Sequence, residues 1–197
     1  MKPLTKDTAL EFLHEKMKNQ NLRRHCYAVG MVLRAYHDYF STIERNLPGL
    51  TAQDWEIAGL LHDSDYEATK DDPTKHTQVL LDWLKEYEVR EEILDVFRSH
   101  NSKITGLRSP QTLLEWTLEC CDELTGFIVA TALILPSKKL ADVTLEGVLK
   151  RLDQPAFARA VDRSQITQCE TRLQIPVEKF VDIALKAMQK NHEVLGL

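Results

Sequence analysis

The dipeptide His62-Asp63 stands out in the sequence because it follows an apolar run, residues 57–61 (IAGLL). Such a run must be buried, so it carries the two polar side chains to the edge of the core. A buried imidazole and carboxylate need partners, and a metal ion is an effective one for both. A second pair, His37-Asp38, has no such run before it, and we interpret it as a structural feature. The setting predicts a metal site at 62–63.

Two further polar residues could supply ligands to the same ion. Asp122 lies in the middle of a long predicted helix, where aspartate is unfavourable because its side chain competes for backbone hydrogen bonds. His25 follows two arginines early in another predicted helix. Taken singly, each of these residues could equally face solvent, so neither identifies a site by itself.

Helical periodicity dominates the rest of the chain, since apolar residues recur at three- and four-residue intervals. Glycine and proline number only 7 each, which is too few for the many tight turns of an all-β fold. Thr51 and Asp54 have the spacing of a capping box at a helix start. We expect helices near residues 5–18, 22–40, 51–61, 73–83, 91–100, 110–135, 144–152, 155–173 and 176–194. The pattern predicts an all-α fold.

A single domain is expected over residues 1–197, with a core at about 20–135 and C-terminal helices at 136–197 packed on it. The amphipathic helix at 176–194 could cover the site as a cap or serve as a homodimer surface. The formal net charge of −5 argues against the broad positive field that nucleic-acid binding requires.

Cysteine usage and hydropathy predict a cytoplasmic protein. None of the cysteines forms a C-x-x-C pair, and reduced thiols are the simplest interpretation of the set Cys26, Cys120, Cys121 and Cys169. The N-terminal residues lack the apolar core and the cleavage site of a signal peptide. No apolar run approaches the roughly 20 residues of a membrane span, so we expect no membrane association.

The order His25, His62-Asp63 and Asp122 in a helical chain resembles the H…HD…D signature of the HD-domain phosphohydrolase superfamily. The resemblance covers about residues 20–130. It implies a compact multi-helix HD-domain bundle in which these four residues hold a metal. Imidazole and carboxylate ligands together suit divalent Mn, Fe, Co or Zn.

His76 and His100 extend the resemblance to the longer form H…HD…H…H…D, in which two extra histidines hold a second metal. The chain would then bind one or two ions. Two other interpretations remain open, namely that both histidines contact substrate, or that His100 complements a helix dipole. The segments HDSDYE, DELTGF and PSKK also resemble a group of predicted HD hydrolases whose substrate is not established.

Other charged residues could complete a catalytic site. Besides Asp63, the carboxylates of Asp65 and Glu67 could orient or deprotonate a water, or could form a solvated acidic loop. A phosphate ester would need positive charge beyond the metal. Candidate cations, each of which could instead be a solvated surface charge, are Arg24, Lys138, Lys139, Arg159 and Arg163.

The sequence therefore supports three hypotheses. The first is a metal-dependent hydrolase of a phosphoester or nucleotide, whose partner is a small phosphorylated molecule. The second is a di-iron oxygenase that uses the same ligand set. The third is a non-catalytic ligand-binding or interaction module, in which the histidines are structural.

Overall fold

A computed structural model describes residues 1–45, 47 and 49–197, and the expected all-α class is confirmed. Within that part of the chain, the only strands are β1 (Lys2–Pro3) and β2 (Tyr87–Glu88), which pair in parallel. The helices are α1 (Lys6–Lys16), α2 (Gln20–Thr42), α3 (Ala52–Leu61), α4 (Tyr66–Thr69), α5 (Gln78–Trp83), α6 (Glu91–His100), α7 (Ser102–Thr105), α8 (Leu113–Leu133), α9 (Leu145–Leu152), α10 (Arg163–Gln168), α11 (Val177–Lys190) and α12 (His192–Leu195).

Helix α2 is central, and it packs against α3, α8, α11 and α12. One hydrophobic cluster extends from Ala9 in α1 to Leu195 in α12, so the C-terminal helices share the core of the N-terminal ones. Tyr36 of α2 stacks on Phe180 of α11 with ring centroids 4.4 Å apart, and its hydroxyl donates to the Phe180 carbonyl at 2.8 Å. Among the described residues, no helix combines the length and the apolar character that a bilayer crossing demands.

Helices α2 and α3 approach each other closely at a contact between two glycines. A Cβ added at Gly59 would lie 2.6 Å from the Cα and N of Gly30, so neither backbone leaves room for a side chain there. Glycine at this crossing allows the two helix axes to come together closely. Gly30 lies five residues after His25, and Gly59 lies three residues before His62. The contact therefore brings these two histidines towards each other.

The helix starts follow local capping. Thr51 and Asp54 form the expected capping box, in which the Asp54 carboxylate accepts from the Thr51 N–H at 2.7 Å. Helix α8 begins later than the expected residue 110, because Thr112 caps it by accepting from the Glu115 N–H. Proline at 110 thus lies in the preceding loop.

Two expected helices are interrupted. The expected helix at 73–83 is a 3-10 turn at Pro73–Lys75 followed by α5, because Thr77 between them adopts a left-handed conformation with φ of 69°. The expected helix at 155–173 is helical only from Arg163 onward. Residues 155–162 form irregular turns whose carbonyls are bound by the Arg163 guanidinium.

Candidate metal centre

The structure brings together all six residues that the sequence suggested as metal ligands. His25 lies near the start of α2, and His62 and Asp63 directly follow α3. His76 lies in the turn before α5, His100 ends α6, and Asp122 lies in the middle of α8.

One half of the cluster is built around Asp122. Its Oδ1 lies 2.9 Å from His25 Nε2 and 3.5 Å from His62 Nε2. The Oδ2 of Asp63 completes this half, 3.6 Å from each of the same two nitrogens. Two imidazoles and two carboxylates thus present their donor atoms to a common point.

The other half is built around the second oxygen of Asp63. Its Oδ1 lies 3.1 Å from His100 Nε2 and 3.2 Å from His76 Nε2. Asp63 therefore directs one carboxylate oxygen to each half, which is the arrangement of a carboxylate that bridges two ions.

The donor-atom contacts within the cluster are of two kinds. The contact of His25 with Asp122, and those of His76 and His100 with Asp63, have hydrogen-bond lengths of 2.9, 3.2 and 3.1 Å. Ligands about 2.1 Å from a shared ion, at angles of about 90–110°, are separated by about 3.0–3.4 Å. The contacts of His62 Nε2 at 3.5 and 3.6 Å are too long for hydrogen bonds. This nitrogen is buried and has no hydrogen-bond partner among the described residues. Burying a nitrogen lone pair without a partner destabilises the fold, and a bound cation would remove this unfavourable energy.

Permanent cations are missing from this cluster. Neither Asp63 nor Asp122 has a lysine or arginine nitrogen within 4.0 Å among the residues that the structure describes. Burial by itself would lower the pKa of His25, but the contact with Asp122 raises that pKa to about 9. Burial would raise the pKa of Asp122, but His25 and His62 hold it well below its ordinary value. Without metal, protons on the imidazoles balance the carboxylates, and a metal ion would displace those protons.

The imidazoles are oriented by partners on their other nitrogen. His62 Nδ1 lies 2.7 Å from the Gly59 carbonyl, and His76 Nδ1 lies 2.8 Å from Asp65 Oδ1. A carbonyl or carboxylate in this position fixes the ring and increases the basicity of the nitrogen that faces the metal. Thr125, which sequence reasoning missed, donates to the Asp122 carbonyl at 2.9 Å, and its hydroxyl lies 3.4 Å from His25 Nδ1.

Asp65 and Glu67 both have structural partners. Asp65 is fully buried, and its Oδ2 accepts from the Leu80 N–H at 2.9 Å, so the solvated-loop interpretation is wrong for it. We assign Asp65 to positioning His76. Glu67 Oε2 accepts from the N–H groups of Lys18 and Asn19 at 2.7 and 3.0 Å, so it anchors the start of α2. That either carboxylate handles a proton stays a prediction.

The candidate cations have different surroundings. Arg24 lines a cavity beside His25. Lys138 and Lys139 are exposed in the turn after α8 and are not among the residues that line this cavity, and their contact with substrate stays a prediction. Arg159 and Arg163 do not lie on one helix, as the expected helix at 155–173 would require, because Arg159 precedes α10. Arg163 donates to backbone carbonyls, including that of Leu152 at 3.0 Å.

The second His-Asp pair is separate from the cluster. His37 lies twelve residues after His25 on α2, which corresponds to about 18 Å along a helix. Its Nε2 lies 3.2 Å from the Leu50 carbonyl, and the Asp38 side chain is 65% exposed. Identical dipeptides in one chain thus have different surroundings.

Comparison of the chain with family models, with curated proteins and with solved structures finds no match. The chemistry of the cluster is therefore the main evidence for function. The donor atoms of His25, His62 and Asp122 lie close enough to share an ion, and so do those of His62, Asp63 and His100. With His76, whose Nε2 is 3.2 Å from Asp63, these buried or partly buried residues form a candidate binuclear metal centre.

Proposed function

We propose that the protein is a metal-dependent phosphohydrolase of the HD-domain type. The observation that carries the proposal is the position of Asp63, which directs one oxygen to His25 and His62 and the other to His76 and His100. The order of these residues along the chain, which resembles the HD-domain signature, supports the same proposal.

Each half of the cluster would hold one divalent ion. His25, His62, Asp122 and Asp63 Oδ2 would bind the first, and His76, His100 and Asp63 Oδ1 would bind the second. Mixed imidazole and carboxylate ligands suit Mn, Fe, Co or Zn. When bound, such ions lower the pKa of a coordinated water and polarise a phosphoryl oxygen.

The chain's own residues would position the reactants. The side chains of His25 and Asp122 are 25% and 20% exposed, whereas those of His76 and His100 are 11% and 9% exposed. Substrate would therefore enter beside His25 and Asp122. Arg24, next to His25 in sequence and in the lining of the adjoining cavity, would offset the negative charge of a phosphoryl group.

The reaction is hydrolysis of a phosphate ester. The oxygen of water forms a bond to phosphorus, and the bond between phosphorus and the alcohol oxygen breaks. One proton of the water ends on the alcohol oxygen, so the products are an alcohol and inorganic phosphate. No electrons are transferred.

Phosphatase assays with Mn²⁺-reloaded protein test the proposal. Wild type should hydrolyse at least one member of a phosphoester panel that begins with p-nitrophenyl phosphate and includes nucleotides. Asp63→Asn should abolish this activity, whereas Asp38→Asn in the second His-Asp pair should leave it unchanged. Equal activity in wild type and Asp63→Asn would overturn the proposal.

A di-iron oxygenase is the second candidate, and the shared carboxylate of Asp63 favours it because that chemistry also needs two ions held together. Oxygen consumption by anaerobically purified, iron-loaded protein separates the two candidates. A hydrolase gives phosphate release without oxygen uptake, and an oxygenase gives oxygen uptake with a reduced organic substrate.

We place the protein in the cytoplasm as part of this proposal. All four cysteines are free and buried, which agrees with a reducing compartment. A homodimer that uses the C-terminal helices stays a prediction.

A further inference from the structure

A cavity of about 490 Å³ opens beside His25, between α2, α8 and α12. This volume is within the range of small-molecule sites, about 300–1,000 Å³. Its walls are mainly aliphatic, with Ala28 from α2, Val129 and Leu133 from α8, and Leu195 from α12. Among the described residues that line it there is no Phe, Tyr, Trp, Asp or Glu, and its polar side chains are those of Asn21, Arg24, His25 and Thr125.

The cavity adjoins the more exposed half of the metal cluster. His25 belongs to both the cluster and the cavity wall. Thr125 lines the cavity as well, and its hydroxyl donates to the carbonyl of Asp122 at 2.9 Å. A molecule that reacts at the cluster could therefore extend into this space without a change in the fold.

Gly126 keeps part of the space open. It lies inside α8, where glycine is less favourable than alanine. A Cβ built on Gly126 would meet no atom within 4 Å, so helix packing does not require glycine at this position. Because residue 126 lines the cavity, a large side chain there has room to project into it.

The charge of the cavity is positive at one edge. Arg24 lies against Gly196, and a Cβ on that glycine would be 2.6 Å from the Arg24 Nη2. No carboxylate pairs with Arg24 in the part of the chain that the structure describes. A mainly aliphatic cavity with the Arg24 guanidinium at its edge suits an anion that carries a compact aliphatic group.

We propose that this cavity binds the alcohol part of the substrate, and that the substrate is a phosphate monoester of a compact aliphatic alcohol. The inference rests on the proposed hydrolase function and narrows it. A nucleotide fits less well, because its base would find no phenylalanine, tyrosine or tryptophan ring among the described lining residues, and the one imidazole there, that of His25, belongs to the cluster.

Calorimetric titration with n-alkyl phosphonates, which cannot be hydrolysed at the P–C bond, tests this assignment. With Mn²⁺-loaded wild type, affinity should increase up to about fourfold for each methylene from methyl to pentyl phosphonate. Gly126→Leu should abolish this dependence on chain length. The matched control is Gln53→Leu, which adds the same side chain at an exposed position of α3.

A second variant provides an independent test in case Gly126→Leu does not fold. Leu133 is 48% exposed at the cavity wall, so Leu133→Gln should fold normally and should weaken the binding of pentyl phosphonate more than that of methyl phosphonate. The assignment would be overturned if the affinity of wild type did not change with alkyl chain length. It would also be overturned if both variants kept the wild-type dependence of affinity on chain length. Tighter binding of adenosine monophosphate than of pentyl phosphonate would also overturn it.

Metal content separates this inference from the hydrolase proposal. If the protein retains metal and hydrolyses phosphoesters, but its affinity for alkyl phosphonates does not depend on chain length, only the cavity assignment fails. The protein could instead retain no metal and still bind longer alkyl phosphonates more tightly, with this dependence lost in Gly126→Leu. In that case the hydrolase proposal fails, and the cavity remains a binding site for aliphatic anions.

Discussion

Two kinds of carboxylate in this protein are neutralised in different ways. Glu56, between α1, α2 and α3, is 2.5 Å from Lys6 Nζ and 2.9 Å from Arg34 Nη1. Asp63 and Asp122, in the cluster, have only imidazoles around them among the described residues. Lysine and arginine thus neutralise Glu56, whereas imidazoles surround the carboxylates of the candidate metal centre.

Other buried glutamates follow the Glu56 pattern. Glu115 lies 3.2 Å from the Arg108 guanidinium, and Glu119 lies 3.1 Å from Lys103 Nζ. An unpaired buried charge is strongly unfavourable, so such pairing is expected for structural carboxylates. These three glutamates therefore differ from Asp63 and Asp122, and also from the fully buried Asp65 beside the cluster, whose charged partner is His76.

The largest effect is expected from Asp63→Asn, which removes the one charge shared by both halves of the cluster. Metal content should decrease from about two ions per chain to near zero, because each half loses an anionic ligand. Elemental mass spectrometry after reloading with Mn²⁺ measures this. Asp38→Asn should retain the wild-type content, and equal loss in both variants would mean that the effect is not specific to the cluster.

Asp65→Asn should have the next largest effect, and it should be confined to one half. The amide keeps the shape of the carboxylate but loses the anionic acceptor for His76 Nδ1. We expect one of the two metal equivalents to bind about 10- to 100-fold more weakly. Titration of metal-free protein with Mn²⁺ resolves the two equivalents. Equal weakening of both would contradict the assignment of Asp65 to the His76 half.

Glu56→Gln tests the structural side of the comparison. The free energy of unfolding should decrease by about 1–2 kcal/mol, since Lys6 and Arg34 are 45% and 49% exposed and solvent screens much of the interaction. Urea unfolding measures the change, and metal content should be unaffected. A loss of metal in this variant would contradict the claim that Glu56 is structural and independent of the cluster.

The smallest effect is expected from Glu67→Gln. The amide oxygen can still accept from the Lys18 and Asn19 N–H groups, but without the charge. The thermal midpoint should decrease slightly, and phosphatase activity should remain. If activity were lost while metal was retained, Glu67 would instead act on the proton of the reaction.

The candidate ligands were predicted from their order along the chain, which resembles the HD-domain signature, and the structure brings them together. Only His62-Asp63 has a local signal, namely the apolar run before it that predicts burial. Asp122 and His25, taken singly, were ambiguous. The helices themselves were predictable from periodicity wherever capping residues marked their ends, as at Thr51. Composition sufficed for the all-α class.

Features that depend on distant contacts were not predictable. The role of Asp65 depends on the turn that ends in the left-handed Thr77, which presents His76 back towards it. The contact between Thr125 and His25 joins residues one hundred positions apart. Arg163 looked like a surface charge on a helix, whereas its guanidinium holds together a non-helical segment that periodicity had predicted as helix.

The most direct test of the central claim is the metal stoichiometry of the wild-type chain. The protein is purified without chelator, stripped, reloaded separately with Mn²⁺, Fe²⁺, Co²⁺ and Zn²⁺, and analysed by elemental mass spectrometry. A binuclear centre predicts about two ions per chain for at least one of these metals. Retention of none, under conditions in which the protein stays folded, would contradict the account and favour a non-catalytic binding module.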